Sequence, residues 1–403
     1  MLISILIIFT LLIFWQFLGY PLFMAAIYSL KKNRTESMDY SYQPFVSIII
    51  PVYNESRALK SRIGNLLALE YPEDKYEIII VDSGSIDNSV EIARSLEKSI
   101  SKVTVLEEGE RRGKASAINY GKSFAQGEII LITDANTIFD KNVLKEITPH
   151  FSKPEVGAVG GRFIPLKGDK TIFEASVFYW ELESLIRRGE SAWKSTCLFH
   201  GEINAWRKNI IEADTKSLAE DLDMAVTINR KGFRIIYVPD ALAYEAVPAT
   251  YKEQVVQKKR TLIGTIQGFF KHNKYLLIPR DRYSWIIFPS HKTLQILSPF
   301  LIIGWMVSFT FLARQNILMA VITTIVILIL FIISFFILNR NLFRYSYVGN
   351  GNGKSPLGIN LLSILIYVAL HEYIIMLAWK DYITGDYRVQ WELTRSTRNH
   401  PEG

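Results

Sequence analysis

Four groups of acidic and polar residues follow one another in the middle of the chain. They are Val81-Asp82-Ser83-Gly84, Thr133-Asp134-Ala135-Asn136, Ala219-Glu220-Asp221 and Gln257-Lys258-Lys259-Arg260. Carboxylates can bind a hard divalent cation or act as a general base, and lysine or arginine can neutralise an anion. The chain changes character directly after the fourth group and becomes strongly apolar. This order predicts polar chemistry carried out beside a lipid bilayer.

The residues around these groups alternate between strand and helix patterns. Three short, almost wholly apolar runs are typical of buried parallel strands: 46–50, 77–81 and 128–132. Residues 88–98 and 115–125 lie between them and have helical spacing and length. Because strand and helix alternate in this rhythm, residues 44–275 are predicted to form a doubly wound, mostly parallel α/β sheet.

Three of the polar clusters directly follow a predicted strand: 51–55, 82–84 and 134–136. In doubly wound sheets, ligands bind outside the carboxyl ends of the strands, where the strand order reverses. We therefore expect the three clusters to converge on one edge. Taken singly, each cluster could also be an ordinary turn or helix cap. The chain has no G-x-G-x-x-G or Walker A pattern, which disfavours a nicotinamide oxidoreductase or a P-loop enzyme.

A nucleoside diphosphate-sugar is one ligand that these residue types could serve. Asp82 could accept the imide N–H of a uracil-like base, with Tyr53 and Glu55 beside it. Asp134 could hold a divalent cation against the diphosphate, since such cations take one or two carboxylates together with substrate phosphates. Lys114 would then add positive charge against the leaving diphosphate.

The acceptor hydroxyl in such a transfer needs a general base, and Asp221 is the candidate. Glu220 and Asp223 lie close by in sequence, and like charges raise the pKa of a carboxylate. An acidic first turn that stabilises the helix dipole is the alternative interpretation of Glu220-Asp221. Arg260 is a second candidate cation for the diphosphate.

Taken in order, these motifs resemble the family 2 glycosyltransferases with a GT-A fold. The resemblance rests on Pro51-Val52-Tyr53-Asn54-Glu55, Val81-Asp82, Gly113-Lys114, Asp134-Ala135-Asn136, Glu220-Asp221 and Gln257–Arg260. Membrane-embedded synthases of the cellulose, hyaluronan and poly-N-acetylglucosamine type are the most similar members. The resemblance covers roughly residues 44–275 and extends to the flanking apolar segments.

This resemblance implies an inverting sugar transfer that depends on Mg²⁺ or Mn²⁺, with a UDP-sugar as the favoured donor and a glycan or lipid-linked acceptor. The implied metal ligands are Asp134 and Asn136, and the implied catalytic residues are Asp221 and Glu220. The implied nucleotide-sugar-binding residues are Pro51, Tyr53, Glu55, Asp82, Lys114, Asp134, Gln257 and Arg260. Residues 197–202 match a loop that contacts the acceptor, which makes His200, Gly201 and Glu202 the acceptor-binding candidates.

The chain departs from the family pattern at two positions. Asn136 stands where the metal motif usually ends in aspartate, and its amide oxygen brings no charge to the cation. Thr261 stands where the Gln-x-x-Arg-Trp signature has an indole that stacks on the acceptor sugar. A processive polysaccharide synthase and a transferase that adds one sugar to a lipid therefore both stay open. A non-catalytic membrane scaffold that keeps a nucleotide-binding fold is the third alternative.

Residues 1–30 contain no charged side chain and run longer than the apolar core of a secretory signal. We expect an uncleaved N-terminal transmembrane anchor. Lys31, Lys32 and Arg34 follow at once, which places this end of the anchor in the cytoplasm by the positive-inside rule.

Three more apolar segments near the C-terminus predict a transmembrane region of about three helices over residues 293–379. They are about 293–313, 317–338 and 359–379, each long enough to cross a hydrocarbon core of about 30 Å. Residues 280–292 predict an interfacial segment, and 380–403 a tail. Four spans would place this tail on the outer side of the membrane, whereas its basic residues favour the cytoplasmic side.

Composition narrows the class of protein further. Apolar residues make up 49% of the 403-residue chain, as expected for contact with membrane lipids. The net charge of +7 is spread widely, which is typical of cytoplasmic loops and gives no sign of nucleic-acid binding. A single cysteine, Cys197, excludes an intrachain disulfide framework and favours a reducing compartment. The expected location is the cell membrane, multi-pass, with the catalytic domain in the cytoplasm.

Overall fold

The structure is a computed structural model that describes residues 2–31, 38–166, 170–199, 201–246, 248, 250–278, 280–346 and 361–387. The strands are β1 Val46–Val52, β2 Tyr76–Asp82, β3 Val103–Glu107, β4 Ile129–Ile132, β5 Ile138–Phe139, β6 Val156–Leu166, β7 Asn204–Arg207 and β8 Arg234–Ala246. The helices are α1 Leu2–Phe14, α2 Tyr20–Lys31, α3 Leu59–Leu67, α4 Ser89–Ser99, α5 Lys114–Phe124, α6 Val143–Ile147, α7 Lys170–Trp193, α8 Glu220–Arg230, α9 Tyr251–Lys271, α10 Asn273–Leu276, α11 Leu294–Gln315, α12 Ile317–Ser346 and α13 Leu361–Thr384.

The eight strands form one mixed sheet in the order β3-β2-β1-β4-β7-β6-β8-β5. Strands β3, β2, β1 and β4 are parallel, and each of the first three connections carries a helix. The order reverses at β1, because β2 lies on one side of it and β4 on the other. This arrangement confirms the predicted Rossmann-like α/β fold and places the switch point between β1 and β4.

Alternation along β1 shows why its apolar run folds as a central strand. Ile48 and Ile50 pack into the core on one face of the sheet, and Ile49 packs into the core on the other face. All three side chains are fully buried. A strand with helices on both faces must be apolar at every position, which is why β1, β2 and β4 are recognisable in the sequence.

The second half of the sheet is not simply parallel. Strand β7 lies antiparallel between β4 and β6, and β8 pairs parallel with β6 and antiparallel with β5. Because β7 comes late in the chain and pairs with β4, it brings late residues beside the parallel half of the sheet. The late segments that contain β7, α8 and β8 thus reach the edge where β1, β2 and β4 end.

Three helices among the described residues are long and apolar enough to cross a membrane: Leu2–Lys31, Tyr283–Gln315 and Ile317–Leu338. The first joins α1 and α2 through a π-helical turn, Trp15–Gly19. The second begins with the π-helical segments Tyr283–Ile287 and Pro289–Thr293, so the region predicted as a separate interfacial segment continues into α11. The last predicted span, 359–379, falls largely within α13, and most of the predicted tail lies outside the described residues.

Candidate active site

Asp82 ends strand β2 and is almost completely buried. Its Oδ2 accepts the backbone N–H groups of Gly84 and Ser85, each at 3.0 Å. Its Oδ1 is buried and accepts no hydrogen bond from any described residue. Leaving a buried acceptor without a donor costs free energy. This one oxygen atom is therefore suited to accept an N–H group from a ligand.

The loop after β1 is tied to the loop after β2. Asn54 adopts a left-handed backbone conformation with φ of 56°, which asparagine tolerates better than most residues. Its Oδ1 accepts the N–H of Ile86 at 2.8 Å, and its own N–H donates to Ser85 Oγ at 2.9 Å. Pro51 and Tyr53 precede this turn, and the half-buried Tyr53 ring lies 4.1 Å from the Arg111 guanidinium. These contacts hold the two loops together beside Asp82.

Glu55 and Gly84 join these two loops to α4 and to the loop before α5. Glu55 is buried, and its N–H donates to Ser89 Oγ at the start of α4 at 2.8 Å. Gly84 has φ of +74°, and a Cβ on it would lie 2.8 Å from the Glu110 carbonyl carbon. Glycine is required there because the loop before α5 approaches so closely. The sequence prediction thus placed Pro51, Tyr53, Glu55 and Asp82 at one edge, and the structure brings them together.

Lys114 is the point where several segments meet. Its Nζ lies 2.6 Å from Asp134 Oδ1 and 3.8 Å from Glu220 Oε1, and it donates to the carbonyl of Gly201 at 3.4 Å. Burial opposes the charge of this lysine, but the carboxylates of Asp134 and Glu220 outweigh burial and raise its pKa. Lys114 therefore holds four segments around one cation: the start of α5, the end of β4, the start of α8 and the loop before β7.

Asp221 occupies the first turn of α8, where its Oδ1 accepts the N–H of Leu222 at 2.8 Å. Burial, with a further contribution from Glu220, raises the pKa of Asp221 from its ordinary 3.8 to about 6. Asp223, which we expected to add to this effect, instead contacts His272 Nε2 and Lys271 Nζ, each at 2.7 Å. Asp221 therefore has the raised pKa that a general base working near neutral pH requires.

The loop before β7 supplies two of the three predicted acceptor-binding residues to this cluster. The carbonyl of Gly201 accepts from Lys114. Glu202 is adjacent, and burial together with the charge of Asp134 raises its pKa to about 7. His200 lies outside the described residues. Gly201 and Glu202 are thus part of the same polar cluster as Lys114.

The Gln257–Arg260 element lies on α9, whose N-terminus is capped by Thr250 Oγ1 accepting from Glu253 N at 3.3 Å. Gln257 and Thr261 are exposed, and the Thr261 hydroxyl donates to the Gln257 carbonyl at 3.2 Å. Arg260 is partly buried. The proposed contact of Gln257 and Arg260 with a donor stays a prediction, because the described contacts do not link Gln257 to the carboxylate cluster.

Sequence reasoning missed Glu245, a buried residue of β8. Its Oε1 accepts from Asn136 Nδ2 and its Oε2 from Thr137 Oγ1, both at 3.0 Å. Burial raises the pKa of Glu245, and the charges of Glu202 and Asp134 add to this rise. A carboxylate within the otherwise apolar stretch 241–246 was the signal that could have identified it.

Asp134 and Asn136 directly follow β4, and they fit a divalent cation whose shell is completed by phosphate. One carboxylate with an amide oxygen suits Mg²⁺ or Mn²⁺ when substrate phosphates supply further ligands. The described residues contain no group of three or more His, Cys, Asp or Glu side chains that could enclose a metal. The contact between Asp134 and the Lys114 ammonium shows that this carboxylate already faces a cation. With these two residues alone, substrate phosphates would have to complete the shell of such a cation.

Comparison with known proteins shows what this domain is similar to. Residues 47–213 match the family described as glycosyl transferase family 2. The match covers less than half of the chain and makes residues 47–213 similar to a glycosyltransferase domain. The matched residues include the ends of β1, β2 and β4 together with Lys114 and Glu202, whereas Asp221 lies beyond the match.

Two curated relatives are similar to about half of the chain. The probable glycosyltransferase YdaM of Bacillus subtilis is 28% identical over 235 residues, which are 55% of each chain. Poly-β-1,6-N-acetyl-D-glucosamine synthase of Staphylococcus aureus is 29% identical over 213 residues, 51% of this chain and 50% of the synthase. The chain thus spans about half the length of the curated relatives it matches.

A solved structure extends the likeness in fold. The mannosyltransferase PcManGT of Pyrobaculum calidifontis, solved with GDP-Man and Mn²⁺, superposes with a TM-score of 0.68 at 24% identity. The match covers 96% of this chain and all of the mannosyltransferase. The α/β domain therefore has the GT-A fold.

Proposed function

We propose that this protein is an inverting membrane glycosyltransferase. It would move a sugar from a nucleoside diphosphate-sugar to a polysaccharide or lipid-linked acceptor at the cytoplasmic face of the cell membrane. The observation that carries this proposal is the cluster around Lys114, which brings Asp134, Glu220 and Gly201 from three other segments to one cation. A cation among carboxylates at a switch-point edge is suited to a diphosphate with its divalent metal.

A UDP-sugar is the donor that the Asp82 geometry favours. Asp82 has one oxygen committed to two backbone N–H groups and one oxygen left to accept. A uracil base offers one imide N–H at this edge, whereas guanine offers an N1–H and an amino group side by side. A single accepting oxygen suits the uracil better. The mannosyltransferase of similar fold was solved with a guanine nucleotide, so the base is a property to be measured for each protein.

The chain's own residues then have distinct roles in the transfer. Asp221 would take the proton of the acceptor hydroxyl as that oxygen attacks the anomeric carbon, and the nucleoside diphosphate would leave from the opposite face. Lys114 and Arg260 would stabilise the negative charge of the departing diphosphate. A Mg²⁺ or Mn²⁺ ion held by Asp134 and Asn136 would supply further positive charge to that diphosphate when bound.

The membrane part of the proposal rests on three apolar helices and the basic residues beside them. The helices Leu2–Lys31, Tyr283–Gln315 and Ile317–Leu338 each have the length of a span. Lys31 ends the first helix, and Lys32 and Arg34 follow it, which supports a cytoplasmic location for the domain that comes next. Multi-pass insertion with the domain inside is therefore the proposed topology.

A transferase that forms one glycolipid is the second candidate function. It is favoured by Thr261, whose hydroxyl bonds to the backbone of α9 and which offers no aromatic face to a growing glycan. In this alternative the donor chemistry is unchanged, and the membrane helices form an entry for lipid rather than a channel for polymer.

Full-length protein in lipid nanodiscs with Mn²⁺ tests both proposals. Radiolabelled UDP-N-acetylglucosamine, UDP-glucose and GDP-mannose are each supplied with bacterial lipid extract, and products are separated by size. We expect label from a UDP-sugar to enter product, and Asp221→Asn to abolish that transfer. A ladder of lengths identifies a polysaccharide synthase, and one discrete lipid identifies the glycolipid enzyme. Equal turnover by wild type and Asp221→Asn would show that the assigned base is wrong.

A further inference from the structure

Glu190 on α7 is completely buried, and four polar groups lie within hydrogen-bond distance of its carboxylate. Its Oε1 accepts from the Tyr20 hydroxyl at 2.6 Å and contacts His291 Nδ1 at 2.7 Å. Its Oε2 accepts from the backbone N–H of Cys197 at 2.8 Å and from the Thr196 hydroxyl at 3.3 Å. One carboxylate therefore connects the two sides of this buried network.

The partners on one side of Glu190 come from helices with the length of membrane spans. Tyr20 belongs to Leu2–Lys31 and His291 to Tyr283–Gln315. Gly189, the residue before Glu190, lets α2 approach closely, because a Cβ there would collide with the Met24 carbonyl. This close crossing is what brings the Tyr20 hydroxyl to the carboxylate of Glu190.

The partners on the other side begin the loop of residues 197–202. The N–H of Cys197 is held by Glu190, and its carbonyl accepts from the Tyr283 hydroxyl at 2.8 Å. The backbone N–H of Cys197 is thus held by α7, and its carbonyl is held by the helix Tyr283–Gln315. The base of this loop is therefore bonded directly to the membrane helices.

The same loop reaches the candidate active site at its far end. Phe199 packs against Gly160 of β6, where a Cβ would lie 2.8 Å from the Phe199 Cβ. Two residues further on, the Gly201 carbonyl accepts from Lys114, which in turn contacts Asp134. One residue, which lies outside the described part of the chain, separates Phe199 from Gly201, so a shift at the base of the loop would change where the covalently linked Gly201 stands relative to Lys114.

We infer that Glu190 is a positioning residue that ties the acceptor loop, residues 197–202, to the membrane helices. Through it the positions of the first and second spans would set where Gly201 and Glu202 stand relative to Lys114. This inference rests on the proposed transfer reaction, because the loop matters for chemistry only if an acceptor binds there. Glu190 belongs to none of the sequence motifs, so the inference assigns a role at the site to a residue that those motifs do not include.

The role requires a carboxylate rather than any polar group of similar size. Glu190 accepts at both oxygens, whereas a glutamine offers one accepting oxygen and a donating NH₂ group. In Glu190→Gln, an N–H would face either the Cys197 N–H or the pair formed by Tyr20 and His291. The other His291 nitrogen, Nε2, lies 3.2 Å from Glu183 Oε1, so this ring meets a carboxylate on each side.

Hydrogen–deuterium exchange on the full-length protein in nanodiscs tests, without any substrate, whether Glu190 attaches the loop of residues 197–202 to these helices. Glu190→Gln and the milder Tyr283→Phe should each speed exchange of the peptide spanning residues 197–203, with peptides of β1 and β2 unchanged. The matched control is Tyr275→Phe. The Tyr275 ring stacks on Tyr283, and the substitution removes only its hydroxyl, which donates to Asp281 at 3.0 Å. Unchanged exchange of the loop in both test variants would overturn the inference.

A kinetic measurement then separates positioning from simple structural support. Both test variants should lower release of UDP from UDP-N-acetylglucosamine by roughly 10- to 100-fold, as expected for misplacement by about 1 Å. The affinity for UDP with Mn²⁺, measured by calorimetry, should stay within about twofold of wild type, and Tyr275→Phe should match wild type in both assays. Faster loop exchange with normal UDP release would refute the positioning role. A wild-type protein that turns over no nucleotide-sugar would refute the proposed function, and the exchange experiment would still decide whether Glu190 holds the loop.

Discussion

Replacing Asp221 with asparagine should abolish transfer and at the same time make the protein more stable. The amide side chain would keep the shape of the carboxylate and could still accept the Leu222 N–H that now bonds to Oδ1 at 2.8 Å. It could not take up a proton as a base. Positioned acid–base groups contribute about 10²–10⁴-fold to rate, so we expect kcat to fall at least about 100-fold.

The gain in stability follows from the raised pKa of Asp221. Burial, and then Glu220, moves this pKa from 3.8 to about 6, so ionising the folded protein at neutral pH costs free energy. At about 1.4 kcal/mol per pKa unit, the cost is at most about 3 kcal/mol. It is absent below pH 3.8, grows as pH rises towards 6 and is complete above that pH. The asparagine variant should therefore gain most at about pH 7 and almost nothing near the ordinary pKa of an aspartate.

Asp223 provides the matched control on the same helix as Asp221. Burial opposes its ionisation, but hydrogen bonds from His272 and Lys271 outweigh burial and lower its pKa. Asp223→Asn should therefore destabilise the protein by about 1–3 kcal/mol, because both partners lose a charged acceptor. Thermal unfolding of each variant in nanodiscs at about pH 7 and about pH 4.5, alongside sugar transfer, gives the comparison.

The two variants must move the unfolding temperature in opposite directions at neutral pH. If Asp221→Asn lowers that temperature as Asp223→Asn does, Asp221 is an ordinary structural carboxylate and the reasoning from its buried charge is refuted. If the temperature rises but transfer continues at the wild-type rate, the electrostatic argument holds and the assignment of the base is refuted.

The other expected outcomes concern the cation cluster and the pH profile. Lys114→Met should weaken UDP binding with Mn²⁺ at least about 30-fold, or about 2 kcal/mol, in calorimetry, whereas Lys122→Met on the same helix should leave it unchanged. Asn136→Asp should lower the unfolding temperature without metal, because it sets a second carboxylate against Glu245 at a contact that now measures 3.0 Å, and added Mn²⁺ should restore most of the loss. The value of kcat/KM should fall about tenfold per pH unit below about pH 6 as Asp221 takes up its proton, and a flat profile from about pH 7 to about pH 5 would contradict that assignment.

Much of the sheet could be predicted from the sequence because its central strands are encoded locally. Ile48, Ile49 and Ile50 are apolar on both faces, which few structures other than a central parallel strand require. The polar residues after those strands then had to meet at the switch point, and Asp82 and Asp134 lie at the predicted edge. The mixed half of the sheet was not predictable in this way, since the four residues of β7 carry no distinctive pattern of their own.

The sequence by itself determined which elements form and which edge carries the chemistry, because hydrophobic periodicity and strand-end residues act over a few positions. The tertiary structure alone decided the partners of those residues. Asn136 meets Glu245 across 109 residues of chain, and Asp223 turns away from Asp221 to pair with His272. Glu190 joins the helix Tyr283–Gln315 to the loop that touches Lys114. Such contacts depend on how distant helices and strands pack, and no short stretch of sequence specifies that packing.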